Sequence, residues 1–289
     1  MTDAITERLA RCYTGVVHDV MRAMGLRDFT LPPELRPILP EQTLAGPAFT
    51  IEGMVDPTAD AHATLLAWTG LLSKAHPGHI WVSQPNDRTV AHMGELSAET
   101  LKNKGVRGAV LDGGIRDVNF LLALGFQTWA RFHTPRDIVG WWLPKAIDVE
   151  ITIGDVLIAP GDYLLGDRDG LLRVPRSIAE DVVARAEAAI ATENRVRTAI
   201  LSGVDPQQAY LQHGKFWAVT RQGHQCPAAF PHRCARGWHR RAVLGLPPPK
   251  QHVNLRIYAD VVDWFRGAGK CHRTRINSVA GAFVESRKR

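Results

Sequence analysis

The sequence predicts an α/β fold, because segments with the apolar pattern of buried strands alternate with segments that have the pattern of amphipathic helices. The strands of this alternation are predicted at residues 44–55, 79–83, 106–111 and 127–132. The helices are predicted at residues 4–24, 60–73, 94–105, 118–124 and 177–202. A second observation is a β-meander of four short strands separated by turn residues over 149–174. Together these observations indicate an α/β protein built on an open sheet.

The first predicted helix, residues 4–24, has an apolar stripe and a break near Thr14-Gly15. The stripe repeats at helical spacing and comprises Val16, Val17, Val20, Met21 and Met24. Gly25 then ends the helix. His18 is expected to be an interior histidine with its polar atoms satisfied rather than a metal ligand. The prolines between residues 32 and 40 predict an extended connection to the first strand.

The second half of the region is predicted to contain the meander and the longest helix. The meander strands are expected at residues 149–153, 156–159, 163–166 and 171–174. Ser177 and Glu180 predict a capping box at the start of the helix over 177–202. No element is predicted for residues 134–145, where the pair Trp141-Trp142 is expected to lie in the core or in an interface.

The stretch GELSAETLKNKGVRGAVLDGGIRD, residues 94–117, places a glycine turn, a short helix, a buried strand and a second glycine turn in series. Gly94 opens the helix, and Gly105 ends it as a C-cap glycine does. The sequence DGG at 112–114 predicts a tight turn after the strand. Because Gly94 follows a strand and a polar loop, it is expected at the carboxyl end of a strand, where open sheets bind ligands.

The residue types in this stretch suggest a site for an anion and a cation. Free amides in the first turn of a helix attract carboxylates and phosphates, which assigns that role to residues 94–96. The guanidinium of Arg116 binds an oxyanion at two points, and the carboxylates of Asp112 and Asp117 suit a hard divalent cation. The alternative is an ordinary helix–strand connection with an exposed Arg-Asp pair, since such pairs are common and weak.

Length and composition are those of a soluble globular protein. The 289 residues can form one large domain, a smaller one and an ample core, and the apolar content of 45% and charged content of 22% are ordinary. No apolar run approaches the roughly 20 residues that span a bilayer. The polar N-terminus lacks the basic-then-apolar plan of a signal peptide. The sequence therefore predicts a cytoplasmic protein that does not enter a membrane.

Positive charge is concentrated at the C-terminal end. Residues 1–216 contain 21 basic residues (Lys and Arg) and 26 acidic residues (Asp and Glu). Residues 217–289 contain 14 basic residues and 3 acidic residues. Such an asymmetry favours a separate partner for the basic end, such as nucleic acid. The alternative is that these charges only interact with solvent.

The stretch at 94–117 resembles the signature of the RraA-like family, which includes 4-hydroxy-4-methyl-2-oxoglutarate aldolases and oxaloacetate decarboxylases. Three other stretches support the resemblance: GVVHDVMRAMG near the start, LAGPAFTIEG at 44–53 and GDYLLGDRDGLLRVP at 161–175. The resemblance extends over about residues 14–216, so residues 1–216 are expected to form the catalytic domain. It implies a swivelling fold, an α/β/β/α sandwich.

The resemblance implies a carbon-carbon lyase: a divalent-metal-dependent pyruvate aldolase that cleaves a 4-hydroxy-2-oxo acid, such as 4-hydroxy-4-methyl-2-oxoglutarate, to pyruvate. Decarboxylation of oxaloacetate follows the same chemistry. By this resemblance Arg116 binds the substrate and stabilises the enolate, and Asp117 holds Mg²⁺ or Mn²⁺. The amides of Gly94, Glu95 and Leu96 bind the substrate carboxylate, and the Glu95 side chain transfers protons. Asp112 is expected to orient the turn and Arg116 rather than to bind metal.

The resemblance also implies a homotrimer, or a hexamer built from trimers, with active sites at subunit interfaces. A carboxylate from the neighbouring subunit can take part, and both Glu187 and Glu193 on the long helix are candidates. Two alternatives to the metal-dependent aldolase remain. One is a Schiff-base aldolase, although Lys74, Lys102 and Lys104 are all expected at the surface. The other is a non-catalytic regulator that binds and inhibits an RNA-degrading enzyme, as some RraA-like proteins do.

The C-terminal end is unlike this family. Residues 217–250 are rich in Arg, His, Pro and Trp and are expected to form a poorly ordered linker. Residues 253–289 resemble the C-terminal region of BrnA-type antitoxins. This resemblance implies a basic ribbon-helix-helix unit over 251–289, a dimeric fold that places a β-ribbon in the DNA major groove. Binding of nucleic acid or of a toxin is therefore a further hypothesis for this end of the chain.

Overall fold

A computed structural model of the protein describes residues 3–213, which contain seven α-helices and twelve strands. The helices are α1 (Ala4–Leu9), α2 (Thr14–Ala23), α3 (Ala61–Ser73), α4 (Glu95–Asn103), α5 (Val118–Leu124), α6 (Ala179–Leu201) and α7 (Pro206–His213). The strands are β1 (Arg36–Pro37), β2 (Leu44–Val55), β3 (Ile80–Gln84), β4 (Gly108–Leu111), β5 (Gly114–Ile115), β6 (Thr128–Ala130), β7 (Phe132–His133), β8 (Trp142–Ile147), β9 (Ile151–Ile153), β10 (Val156–Ile158), β11 (Tyr163–Asp167) and β12 (Gly170–Val174). The predicted α/β fold is confirmed. The predicted linker and ribbon-helix-helix unit lie outside the described residues.

The main sheet is organised around β2. The strand order is β1-β6-β4-β3-β2-β11-β12, with β8 also paired to β2. Strands β2, β3, β4 and β6 run parallel, and β11 and β8 pair with β2 in the antiparallel sense. The 12 residues of β2 allow it to bind β11 through its first part, β3 through its middle and β8 through its end. Two small sheets, β9–β10 and β5–β7, complete the described strands.

Apolar side chains fill both faces of the parallel strands, because successive residues of a strand point to opposite faces. Trp81 packs into one buried cluster together with residues of α3, α4 and α5. Its neighbours Ile80 and Val82 pack into a second cluster with residues of β9, β10 and β11. A third cluster joins α1, α2 and α6 to β11 and β12. None of the described helices is both long and apolar enough to cross a bilayer.

The helix predicted over 4–24 is divided at the expected place, into α1 and α2. Thr14 begins α2, and the carboxylate of Asp167 accepts hydrogen bonds from its amide (2.8 Å) and its hydroxyl (2.7 Å). Asp167, which is remote in sequence, thus caps the start of α2. In most helices a residue next to the helix start accepts this hydrogen bond. His18 within α2 is half-exposed and contacts the ring of Phe29 rather than lying in the interior as predicted.

One prediction of secondary structure is wrong, and one strand was not predicted. Ser177 lies in a 3₁₀ turn, Arg176–Ile178, and α6 begins after it without a side-chain cap, so the capping box does not form. Residues 142–147, for which no element was predicted, form β8 and pair with β2. The partner residues on β2 lie about 90 positions away in the sequence, and local sequence patterns carry no signal for such a pairing.

We predict that replacing Gly53 by alanine lowers the free energy of unfolding by about 2–3 kcal/mol, as overpacking a rigid core does. A Cβ atom at Gly53 would lie 1.9 Å from Cζ2 of Trp142. Trp142 is fully buried, and its indole Nε1 donates to the carbonyl of Pro85 at 2.8 Å, so the ring has no room to move. Denaturant unfolding of the purified variant measures the effect.

Gly70 provides the matched control for the same substitution. It lies on the exposed side of α3, and no other atom lies within 4 Å of the place that a Cβ atom would take there. Alanine at this position is expected to stabilise the protein by up to about 1 kcal/mol, because glycine is a poor helix former. Equal effects of the two substitutions would contradict the role assigned to the Gly53–Trp142 contact.

Candidate active site

The loops that follow two neighbouring parallel strands bring the predicted site residues together. Strand β3 leads through residues 85–94 to the start of α4, and β4 leads through β5 to Arg116 and Asp117 at the start of α5. Because β3 and β4 are adjacent and parallel, their carboxyl ends lie at the same edge of the sheet. All five predicted site residues, Gly94, Glu95, Leu96, Arg116 and Asp117, line one cleft at this edge.

Gly94 is required by the close approach of two other side chains. It has extended backbone angles that any residue adopts (φ −142°), so conformational freedom is not the reason for glycine. A Cβ atom there would lie 2.6 Å from Oδ2 of Asp117 and 3.2 Å from Cγ of Arg116. The hydrogen atom of glycine therefore makes room for the Arg-Asp pair.

The carboxylate of Asp117 caps the first turn of α4, although Asp117 is not part of that helix. Its Oδ2 atom accepts a hydrogen bond from the Glu95 amide at 3.2 Å and lies 3.5 Å from Nε of Arg116. The backbone of Asp117 is left-handed (φ 55°), a conformation that aspartate tolerates better than most residues. The amide of Arg116 donates to the carbonyl of Met93 at 2.9 Å, which fixes the pair beside the glycine turn.

The first turn of α4 presents unpaired amides to the cleft. Within residues 3–213 no protein acceptor is found for the amides of Leu96 and Ser97. The side chain of Ser97 accepts from the indole of Trp68 at 3.0 Å, which ties this turn to α3. Unpaired amides at a helix start carry partial positive charge, so this turn suits a carboxylate ligand.

Arg116 is held by a second carboxylate that the sequence analysis missed. Its Nη1 atom lies 3.2 Å from Oδ2 of Asp137, and the other oxygen of Asp137 accepts from the Val139 amide at 3.1 Å. Arg116 is still 38% exposed, so a ligand in the cleft has access to its guanidinium. Asp137 lies on the loop before β8, for which no local pattern predicted a role.

The cleft has a volume of about 390 Å³, within the range of small-molecule sites. Part of its lining consists of the charged residues and the first turn of α4. The apolar part of the lining comprises Leu65, Trp68, Leu72, Ile138 and Val139. The Glu95 side chain lines the cleft, is half-buried and has no hydrogen-bond or ion-pair partner among residues 3–213. It is therefore free to exchange a proton with a bound molecule.

The donor set suits a metal ion that retains most of its water. No group of three or more His, Cys, Asp or Glu side chains within residues 3–213 is arranged to enclose a metal. Asp117 offers a carboxylate at the cleft mouth. Mg²⁺ typically uses one or two protein carboxylates together with water and substrate oxygens, and this site supplies such a carboxylate.

Asp112 fulfils one part of its expected role, which was to orient the turn and Arg116. It is buried and forms ion pairs with Arg131 and, at 3.1 Å, with Arg88. It does not line the cleft or contact Arg116, so the expectation that it orients Arg116 is wrong. Its two ion pairs stabilise the turn that precedes β5.

The other candidate residues do not line the cleft. Glu187 pairs with Arg8 at 2.7 Å, and Glu193 accepts from the hydroxyl of Tyr13. Lys102 and Lys104 donate to backbone carbonyls, and neither lines the cleft. The described residues therefore place no lysine where a Schiff base would form.

His92, a buried histidine among the residues of the cleft, is another residue that was not predicted from the sequence. The side chain of His92 is fully buried, and neither ring nitrogen has a hydrogen-bond partner. Its Nε2 atom is 3.6 Å from Asp87, too far for a hydrogen bond. Burial lowers the pKa of His92 to about 4, although the charge of Asp87 opposes this shift. The imidazole is therefore neutral at neutral pH.

Asp87 is ionised beside this histidine. Burial alone raises the pKa of Asp87, but hydrogen bonds from Thr89, Val90 and Trp141 outweigh burial and lower the pKa to about 2. The Trp141 indole donates to Asp87 at 3.1 Å, and the Trp142 ring lies 5.2 Å from the His92 ring. The Trp141-Trp142 pair thus belongs to the core behind the cleft, as predicted.

We predict that His92 makes stability depend on pH between about 6.5 and 4. In the unfolded chain the imidazole binds a proton as the pH falls through about 6.5, whereas the folded protein resists protonation down to about 4. Stability is therefore fully present above pH 6.5 and declines by up to about 3 kcal/mol toward pH 4. Urea unfolding at a series of pH values measures this decline.

The variant His92→Gln is expected to have a flatter stability profile over the same interval. The control is His62→Gln, which removes an exposed imidazole from α3. A His92→Gln profile with the wild-type slope would contradict the assignment.

The chain belongs to the RraA-like family, because the Aldolase/RraA family model matches residues 14–173, more than half of its length. The α/β fold and the recognition made from the 94–117 stretch are thereby confirmed. A second model, the BrnA antitoxin of type II toxin-antitoxin systems, matches residues 208–283. The resemblance of the C-terminal end is therefore confirmed as well.

Individual relatives agree with this assignment. A protein of Halalkalibacterium halodurans, provisionally named as a 4-hydroxy-4-methyl-2-oxoglutarate aldolase, is 31% identical over 62% of this chain and 81% of its own length. This chain also matches a relative from Methanocaldococcus jannaschii over 53% of that protein's length. It matches a relative from Legionella pneumophila over 33% of that protein's length.

Two crystal structures have similar folds. One is described among novel cellulases from microbes of the gut ecosystem; it is 32% identical, with a TM-score of 0.62 over 66% of this chain and 85% of its own. The other is Streptomyces coelicolor RraAS2, described as an unusual member of the RNase ES inhibitor RraA family. It is 28% identical, with a TM-score of 0.60 over 68% of this chain and 96% of its own.

Proposed function

We propose that the protein is a divalent-metal-dependent aldolase that cleaves a 4-hydroxy-2-oxo acid to pyruvate and a carbonyl compound. One observation carries the proposal: Arg116 and Asp117 converge with the unpaired amides of α4 on a single cleft of small-molecule size. The provisional aldolase name of the H. halodurans relative supports the same reaction class. Oxaloacetate, which loses CO₂ through the same enolate, is proposed as a second substrate.

The reaction breaks the bond between C3 and C4 of the substrate. The C4 hydroxyl loses its proton and becomes a carbonyl, and the electron pair of the broken bond passes to C3 and the C2 oxygen as the enolate of pyruvate. Protonation of C3 then completes pyruvate. An enzyme accelerates this step mainly by placing positive charge where the enolate oxygen develops.

The residues of the cleft have distinct roles in this proposal. The unpaired amide of Leu96 and the guanidinium of Arg116 bind the substrate carboxylate and the developing oxyanion. The Glu95 amide donates to Asp117 instead. The Glu95 side chain, which has no other partner among the described residues, accepts and returns protons. Asp117 holds Mg²⁺ or Mn²⁺, and the bound ion supplies Lewis acidity to the substrate carbonyl.

The test is pyruvate formation by the full-length protein from 4-hydroxy-4-methyl-2-oxoglutarate and from oxaloacetate. Reactions contain Mg²⁺ or Mn²⁺, with a chelator in parallel samples. Chelator-sensitive pyruvate is the expected result, and restoration by added metal excludes a general effect of the chelator. Failure to form pyruvate from these and other 4-hydroxy-2-oxo acids would overturn the proposal.

The alternative function is a non-catalytic regulator that binds an RNA-degrading enzyme. Exposed apolar side chains near the cleft favour it, since Leu66 is 64% exposed and Leu96 is 76% exposed. The likeness to RraAS2 supports the same class. Inhibition of a purified endoribonuclease by a protein without lyase activity would establish this alternative.

We also propose that the protein assembles as a trimer, or as a hexamer built from two trimers, in which Glu187 or Glu193 approaches the cleft of a neighbour. Both residues lie on α6, away from the cleft of their own subunit. Sedimentation of the purified protein tests the assembly.

For residues 217–289 we propose binding to DNA or to a toxin. Measuring DNA retention by the protein with and without these residues tests the binding to DNA.

A further inference from the structure

The cleft has an uneven charge distribution. Among the described residues that line it, Arg116 is the only Arg or Lys, whereas Glu95, Asp117 and Asp137 each contribute a carboxylate. Arg116 already contacts Asp117 and Asp137. A substrate carboxylate that binds Arg116 therefore uses the only Arg or Lys side chain among the described residues that line the cleft.

Asp137 is fixed in position by two contacts. One carboxylate oxygen accepts from the Val139 amide at 3.1 Å, and the other lies 3.2 Å from Nη1 of Arg116. The segment that carries it is tied to α3, because the amide of Gly140 donates to the hydroxyl of Thr64 at 3.2 Å. A second negative group in the cleft would thus meet a carboxylate that is held in place.

The remaining wall of the cleft offers little to a charged group. Ile138 is buried, and Leu65 and Val139 present hydrocarbon. The hydroxyls of Thr69 and Thr100 also line the cleft, but each donates to a backbone carbonyl of its own helix. The indole N–H of Trp68 is already donated to Ser97 at 3.0 Å. Burying a carboxylate against such a wall costs free energy, because nothing replaces the lost water.

Resting on the proposed function, we propose that this cleft selects 4-hydroxy-2-oxo acids that carry one carboxylate and an apolar group on C4. The single carboxylate binds Arg116 and the α4 amides, and the apolar group packs against α3 and Ile138. Asp137 is the specificity-determining residue, because it repels a second carboxylate. The cleft thus discriminates both by attraction to the apolar group and by repulsion of the charged one.

A pair of matched substrates tests the inference. In 4-hydroxy-4-methyl-2-oxopentanoate a methyl group replaces the distal carboxylate of 4-hydroxy-4-methyl-2-oxoglutarate, so cleavage gives acetone in place of a second pyruvate. The quantity measured is the ratio of kcat/KM for the dicarboxylate to kcat/KM for the monocarboxylate. The wild-type protein is expected to favour the monocarboxylate.

Two variants change this ratio in a defined direction. Leu65→Lys adds a cation to the exposed side of α3, where Leu65 is 48% exposed, and should raise the ratio about tenfold or more, the effect of one charge-assisted contact. Leu65→Gln, the neutral control, should not. Asp137→Asn should raise the ratio in the same direction, because it removes the repelling charge.

The outcomes separate this inference from the proposed function. Pyruvate release with a wild-type preference for the dicarboxylate, unchanged by Leu65→Lys and Asp137→Asn, overturns the inference and leaves the aldolase in place. Failure to release pyruvate from either substrate overturns both.

Discussion

Replacing Asp117 by asparagine is expected to abolish metal-dependent pyruvate release, with a loss in kcat/KM of at least about 10²-fold. The substitution removes the negative charge proposed to hold the cation but keeps the size of the side chain. Asparagine tolerates the left-handed backbone of this position (φ 55°), and its oxygen can still accept from the Glu95 amide. The variant should therefore fold normally, which circular dichroism and thermal unfolding check.

Asp148 provides the matched control for this substitution. It is a second aspartate with a left-handed backbone (φ 52°), and it lies near His76 rather than in the cleft. Asp148→Asn is expected to keep full activity and metal dependence. Wild-type turnover and chelator sensitivity in Asp117→Asn would contradict the assignment of Asp117 as the metal ligand.

Replacing Arg116 by lysine is expected to lower kcat/KM by about 10²-fold although the charge is retained. The guanidinium approaches Asp117 through Nε and Asp137 through Nη1, so it spans two groups at once. The ammonium of lysine is a single point charge on a flexible chain and does not reproduce this geometry. Steady-state pyruvate formation at saturating metal measures the loss.

Arg185→Lys is the corresponding control. Arg185 forms an exposed ion pair with Asp181 on α6, away from the cleft, and its replacement should leave kinetics unchanged. A normal kcat/KM in Arg116→Lys would show that positive charge alone suffices, and two-point binding of the oxyanion would have to be abandoned.

The part of the site that is continuous in sequence was predictable, and the part that depends on distant segments was not. Residues 94–117 contain both the helix start and the Arg-Asp pair, so a glycine pattern and a family resemblance located them. Asp137 and His92 were missed because their roles depend on burial and on contacts with other segments. His92 in particular stands out only once its ring nitrogens are seen to be buried without partners.

The same distinction applies to the fold. Helix ends at glycine were predicted well, for example at Gly105 and Gly125, because the left-handed backbone there (φ 77° and 66°) is a local property. Strand β8 and the cap of α2 by Asp167 were missed, since each needs a partner from a remote part of the chain. Local rules also predicted a capping box at Ser177 that the 3₁₀ turn replaces.

The lack of space beside Gly94 links positions 94 and 117 in evolution. Any side chain at position 94 would displace the carboxylate of Asp117, whose Oδ2 atom lies 2.6 Å from the place of a Cβ atom. A change at position 94 is therefore tolerable only in a lineage that has already given up the carboxylate at 117. Among RraA-like sequences a residue other than glycine at position 94 is therefore expected only where the aspartate at position 117 has been lost, whereas glycine can persist after that loss.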